Sequence, residues 1–100
     1  MLETFTLATF APHQGDTFQV PLSEGVSLAM TLNEATPLGA VTTPPGARRA
    51  PFSLVFLGPA APLLPQRIYR LSHPSIGTFD LFLVPLGPGP GGLRYEAIFS

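Results

Sequence analysis

Two histidines, His13 and His73, are the only side chains in this sequence that ordinarily titrate near neutrality. Ser72, Ser75 and Asp80 lie close to His73 in the sequence, and those residue types could assemble a Ser-His-Asp hydrolytic site. Such a triad needs a nucleophile on a rigid turn, with base and oxyanion donors converging on one reacting atom. The spacing argues against it. Adjacent residues of a strand face opposite ways, so Ser72 and His73 diverge. Asp80 falls beside Arg70 in the hairpin register derived below, and that partner satisfies it. His73 is expected to be a turn residue with a structural hydrogen bond, and no catalytic residue is assigned.

Metal chemistry finds no better footing. With no cysteine, thiolate sites and disulfides are excluded. The two histidines are far apart in the chain. The six carboxylates, Glu3, Asp16, Glu24, Glu34, Asp80 and Glu96, show no ligand spacing. A carboxylate pair for glycoside hydrolysis is not indicated either, with Glu24 in a turn and Asp80 paired. The run Gly87 to Gly92 is not a phosphate loop: its prolines remove backbone donors, and neither a Lys-Ser/Thr ending nor a helix follows. It reads as a hairpin tip. Arg48 and Arg49 could grip a carboxylate or phosphate, but adjacent loop arginines are more often solvated or anchor the loop. No cofactor is expected and the chain is read as a non-enzyme.

Composition narrows the partners. Charged residues make up 11% of the chain, against about 25% in an average soluble protein. The net charge is −1, lysine is absent and the five arginines are scattered. Nucleic acid, which needs clustered positive charge, is therefore not an expected partner. So little charge leaves a surface poorly protected against association. A protein partner, or another copy, is the expected one. No run reaches the roughly 18 apolar residues of a membrane span, and the N-terminus lacks a signal-like pattern. Membrane insertion is not expected. Synthesis in the cytoplasm is, with a final place in a released or extracellular assembly left open.

The elements that would position these residues are six short apolar runs cut by glycine or proline. They are Phe18–Leu22, Val26–Leu32, Phe52–Leu57, Ile68–Leu71, Phe79–Val84 and Tyr95–Phe99. They predict one all-β domain over residues 1–100: a small six-stranded antiparallel barrel or two-sheet sandwich. Residues 1–16 form an N-terminal cap segment, with a short helical turn between Thr6 and His13 over one end of the sheet. Residues 36–51, rich in proline and glycine, form a long loop. Phe52–Leu57 is apolar on both faces, as expected of a strand covered on both sides.

Three hairpin registers follow from the alternation. Ser23-Glu24-Gly25 as a three-residue loop pairs Leu22 with Val26, Val20 with Leu28 and Phe18 with Met30. Pairing His73 with Gly77 sets Leu71 opposite Phe79, Tyr69 opposite Leu81, Arg70 opposite Asp80 and Ile68 opposite Phe82. Pairing Leu83 with Tyr95 sets Leu81 opposite Ala97 and Phe79 opposite Phe99. The inner face then holds Phe18, Val20, Leu28, Met30, Leu71, Phe79, Leu81, Leu83 and Phe99. Pro21, which cannot donate, either places the first strand at an edge there or points away from the ladder, and the sixth strand forms the other edge. The outer face carries Ile68, Phe82, Val84 and Ile98 among Arg70, Asp80, Arg94 and Glu96. Either another segment covers these apolar residues, or they are a contact surface.

The chain also resembles a known family. The residues that carry the likeness are Arg49-Ala50-Pro51-Phe52-Ser53-Leu54-Val55-Phe56, Gly58-Pro59, Leu64-Pro65-Gln66, Tyr69-Arg70-Leu71, His73-Pro74, Gly77, Leu81-Phe82-Leu83-Val84-Pro85 and Arg94-Tyr95-Glu96-Ala97-Ile98-Phe99. An N-terminal Leu-x-x-Phe-Ala-Pro followed by Gly-Asp-x-Phe adds to it. This pattern is similar to a group of bacterial proteins of about this size classed as a domain of unknown function. The resemblance implies a gene neighbourhood that includes phage-tail-collar proteins of the microcystin-dependent type. It implies no catalytic residue.

Two functions are therefore expected. The first is a non-enzymatic assembly or protein-interaction module, as an accessory of a phage-tail-like or fibre-like structure. Its candidate interaction surface is Ile68, Phe82, Val84 and Ile98, with Arg48, Arg49, Arg70 and Arg94 as candidate polar contacts. The alternative is a small-ligand or carbohydrate-binding β domain, with Tyr69, Tyr95 and nearby arginines lining its site.

Overall fold

Six antiparallel strands close into a barrel in the order β1-β2-β3-β6-β5-β4. The computed structural model describes residues 5–38 and 51–99. The strands are β1 (Thr17–Ser23), β2 (Val26–Pro37), β3 (Phe52–Gly58), β4 (Arg67–His73), β5 (Gly77–Gly89) and β6 (Gly92–Phe99). A single helical turn, α1 (Leu7–Phe10), runs into a 3₁₀ turn at Ala11–His13. Each apolar run thus becomes a strand, and most strands extend past the run that marks them. β2 continues to Pro37, into what reads from the sequence as loop. Arg48 and Arg49 lie outside the described residues.

Alternation sends one side of every strand into the barrel. Phe18, Val20, Met30, Leu71 and Leu83 are fully buried, and Leu28, Phe79, Leu81 and Phe99 are buried with them. All nine expected inner residues are in the core. β3 is buried on both faces, Ser53 and Val55 on the outside as well as Phe52, Leu54 and Phe56 inside.

The β4–β5 hairpin has the expected register from His73↔Gly77 to Ile68↔Phe82. The first hairpin matches at Phe18↔Met30 and Val20↔Leu28. It departs at its tip, where a bulge after Pro21 pairs Ser23, not Leu22, with Val26 and leaves Leu22 and Val26 exposed. The last hairpin is displaced by two residues, with Pro85 opposite Tyr95 and Val84 opposite Glu96. The physical reason is the turn. Pairing continues to Gly89↔Gly92, leaving only Pro90 and Gly91 at the tip. Proline followed by glycine at φ +91° suits a type II turn. The irregularity between Pro85 and Gly87 places Pro85 beside a bulge, where a missing donor is tolerated. The glycine-rich stretch is thus a paired hairpin, not a long loose tip.

Both strands expected at sheet edges are enclosed. β6 lies between β3 and β5. β1 closes the barrel onto β4, but through a single paired position, Gln19↔Ser72.

Each end of the barrel is plugged. At one end Thr6 N–H donates to Thr9 Oγ1 at 3.0 Å and starts α1. A turn this short is unstable alone, and Phe10 anchors it. Its ring is wholly buried among Phe5, Phe52, Phe79 and Phe99, with centroids 5.5–6.1 Å away. At the other end the segment between β3 and β4 brings Leu64 into the core, where Leu64 N–H donates to the buried Tyr95 hydroxyl at 3.0 Å.

Candidate functional site

Two features stand out on this frame: a polar cluster where the N-terminal cap meets the barrel, and an apolar outer face on β4, β5 and β6.

The polar cluster joins residues that are distant in the chain. β4 ends at His73, the 3₁₀ turn ends at His13, and Asp16 immediately precedes β1. Barrel closure brings the three together, correcting the expectation that the histidines lie apart. His13 Nδ1 is 3.0 Å and His73 Nε2 2.9 Å from the same oxygen, Asp16 Oδ2. The imidazoles meet edge to face at 4.5 Å, and His73 also lies against Phe18 at 4.6 Å. His73 is buried, whereas the Asp16 side chain remains 44% exposed.

This set, two histidines and a carboxylate within 4.8 Å, has the composition of a cation site. Its hydrogen bonding opposes that use. The backbone N–H groups of Ser75 and Ile76 point at His73 Nδ1, at 3.0 and 3.3 Å. Nδ1 must therefore accept, which puts the ring proton on Nε2, where it is donated to Asp16. A metal-bound histidine has the reverse arrangement, its second nitrogen donating to an acceptor. For the same reason Nδ1 has no room for a serine hydroxyl, so His73 is not set up as the base of a triad. The arrangement is a clasp. Asp16 ties β4 and the cap turn to the start of β1, beside the sparsely paired seam. The hydrogen bond from His73, then that from His13, hold the Asp16 carboxyl below its ordinary value of 3.8, against a smaller opposing effect of burial. His73 is the structural turn histidine expected from the sequence, but its link to Asp16 was not foreseen.

The apolar face gathers the expected contact residues. Ile68 and Phe82 are cross-strand partners and are 64% and 49% exposed. Val84 follows Phe82 on the same side of β5 and is half-buried beside Glu96. Ile98, two residues along β6 from Glu96, is 54% exposed. The described residues leave this face open: the β3–β4 segment, one of the expected covers, closes an end of the barrel instead. Arg70 and Asp80 flank it, with Arg70 Nε donating to Asp80 Oδ1 at 3.2 Å. An ion pair so exposed contributes little stability. Arg94 is half-buried, its stem running across Gly89.

The tyrosines of the ligand-binding alternative are occupied inside the molecule. Tyr95 is buried with its hydroxyl accepting from Leu64 N–H. Tyr69 donates its hydroxyl to the Pro65 carbonyl at 2.6 Å, and burial pushes its ionisation upward despite the nearby Arg67. Among the described residues no helix is long and apolar enough to cross a membrane.

No curated protein and no solved structure matches the chain. Residues 5–99, nearly the whole sequence, match the family described as Domain of unknown function (DUF6916), and the chain belongs to that family.

Proposed function

We propose that this chain is a non-enzymatic assembly module, which docks a partner protein or a further copy of itself on the outer face of β4–β6. One observation carries the reading. Ile68 and Phe82, adjacent across two strands, expose large apolar side chains beside the exposed Ile98. Isolated exposed apolar residues are ordinary, but a contiguous group rimmed by Arg70, Asp80 and Glu96 has the form of an interface core with a polar rim. The low overall charge supports it, since little repulsion opposes contact. The resemblance read from the sequence supports a partner in a tail-like or fibre-like structure, with a tail-collar protein as the first candidate.

The test is light scattering of the purified protein at rising concentration, with co-purification alongside a co-expressed tail-collar protein. Phe82→Glu is expected to abolish association while the far-ultraviolet spectrum and unfolding midpoint stay unchanged. A protein that stays monomeric, ignores that partner and instead hydrolyses or tightly binds a small molecule would overturn the reading.

A further inference from the structure

The apolar face of β4–β6 carries opposite charges at two opposite corners. β5 runs through its middle, with β4 on one side and β6 on the other. Phe82 lies at the centre, opposite Ile68. Two residues before Phe82, Asp80 pairs with Arg70 of β4. Two residues after it, Val84 pairs with Glu96 of β6. Side chains two apart in a strand share a face. Arg70 and Glu96 therefore stand diagonally across Phe82 on one outer surface.

Neither corner is used up within the chain. Glu96 is half-buried, with Val84 and Val55 as its cross-strand neighbours. Among the described residues it makes no ion pair. A carboxylate set between apolar neighbours gains from a cation supplied from outside. Arg70 is a matching cation. Its side chain is 66% exposed, and among the described residues its one hydrogen bond runs from Nε to Asp80 at 3.2 Å. A guanidinium holds five donors in a planar fork, so that bond leaves its terminal nitrogens for a second carboxylate.

The pattern is self-complementary. Consider a two-fold axis in the plane of contact, passing Phe82 at right angles to the Arg70–Glu96 diagonal. It lays the outer faces of two copies together and exchanges the corners. Arg70 of each copy then meets Glu96 of the other, the reciprocal contact that an isologous interface requires. Phe82 packs on its own counterpart between the two sheets, which face each other at about 10 Å. An unrelated partner would need a basic and an acidic residue at matching positions, and a second copy already has both. The net charge of −1 offers little repulsion to self-contact.

We infer that this face forms a closed two-fold dimer of the chain, with Phe82 at its centre and two reciprocal Arg70–Glu96 pairs at its corners. The inference rests on the assembly reading and narrows its occupant to a second copy. The apolar centre supplies the contact area, and the paired corners fix the orientation.

The test is sedimentation equilibrium of the whole chain over a concentration series. Wild type should pass from monomer to dimer and stop there, because an isologous contact uses up the face. Arg70→Glu and Glu96→Arg each set like charges together at both corners, and each should weaken self-association by about tenfold or more. An equimolar mixture of the two variants should regain a dimer near wild-type affinity, since each chain then carries the charge that the other needs at both corners. Misfolded chains cannot produce that rescue. Association that ignores both reversals, that mixing does not rescue, or that grows beyond dimers overturns the inference. The assembly reading survives that result if Phe82→Glu still abolishes association. A wild-type chain that stays monomeric but binds the tail-collar protein through Phe82 likewise overturns the dimer and leaves the assembly reading standing. A chain that does neither sinks both.

Discussion

Phe10 holds the cap to the barrel, and truncating it to alanine tests whether the cap belongs to the cooperative core. The side chain is fully buried, so losing the ring forfeits about 2 kcal/mol of transfer free energy. The rings of Phe5 and Phe79 meet it edge-on at 5.5 and 5.8 Å, with interplanar angles of 87° and 74°. Two such contacts add about 1 kcal/mol each. The resulting figure, about 4 kcal/mol, falls within the range of about 3–5 kcal/mol usual for Phe→Ala in a core. For a chain of this length it is a large part of a total of about 5–15 kcal/mol. With a urea slope of about 1–2 kcal/mol per molar, the unfolding midpoint should drop by about 2–4 M. Hydrogen exchange read at Leu7–His13 in native buffer should accelerate, because a lone turn cannot persist without its anchor. Phe82→Ala, on the exposed face, is the control and should move stability by no more than about 0.5 kcal/mol. A loss below about 1 kcal/mol at Phe10, with protection of the turn unchanged, would refute the argument that the cap is part of the core.

Other outcomes follow from the same structure. Asp16 titrates below its ordinary value of 3.8 when folded, so its contribution is complete above the unfolded value and is lost as pH falls through the folded one; the stability gap between wild type and Asp16→Asn should be constant above about pH 5 and close in more acid urea titrations. Gly92→Ala should destabilise by at least about 2 kcal/mol, because φ is +141° and a Cβ there would collide with the Gly58 carbonyl oxygen, whereas Gly25→Ala, at φ +76° in open space, should cost only about 1 kcal/mol. Tyr95→Phe removes the acceptor of a buried Leu64 N–H and should cost about 1–3 kcal/mol in the same denaturant assay.

What the sequence by itself determined is the local pattern. Alternation has a period of two residues, so Phe18, Val20, Leu71, Phe79 and Leu81 were assignable to the inner face without knowing which strand lay beside which. The β4–β5 register was legible because the turn at His73–Gly77 and the Arg70–Asp80 pair agree on one answer. The apolar outer residues were legible too, since Ile68, Phe82 and Ile98 interrupt a face that should be polar. Registers that depend on bulges were not. Leu22 was misplaced because one extra residue after Pro21 is invisible to a count of two, and the β5–β6 hairpin because its pairing runs on to a tight turn at Pro90–Gly91.

Only the tertiary structure decided the rest. Closure of β1 onto β4 is a contact between residues more than fifty positions apart, and no local preference specifies it. That closure converts two expected edges into an enclosed barrel with one incompletely paired seam. It also brings His13, Asp16 and His73 to a common oxygen, where two neighbouring backbone donors, not the residue types, decide that the cluster is a clasp and not a metal site. Residue identity sets what a side chain can donate, accept or exclude from water. Which of those capacities is used depends on what the fold places opposite it.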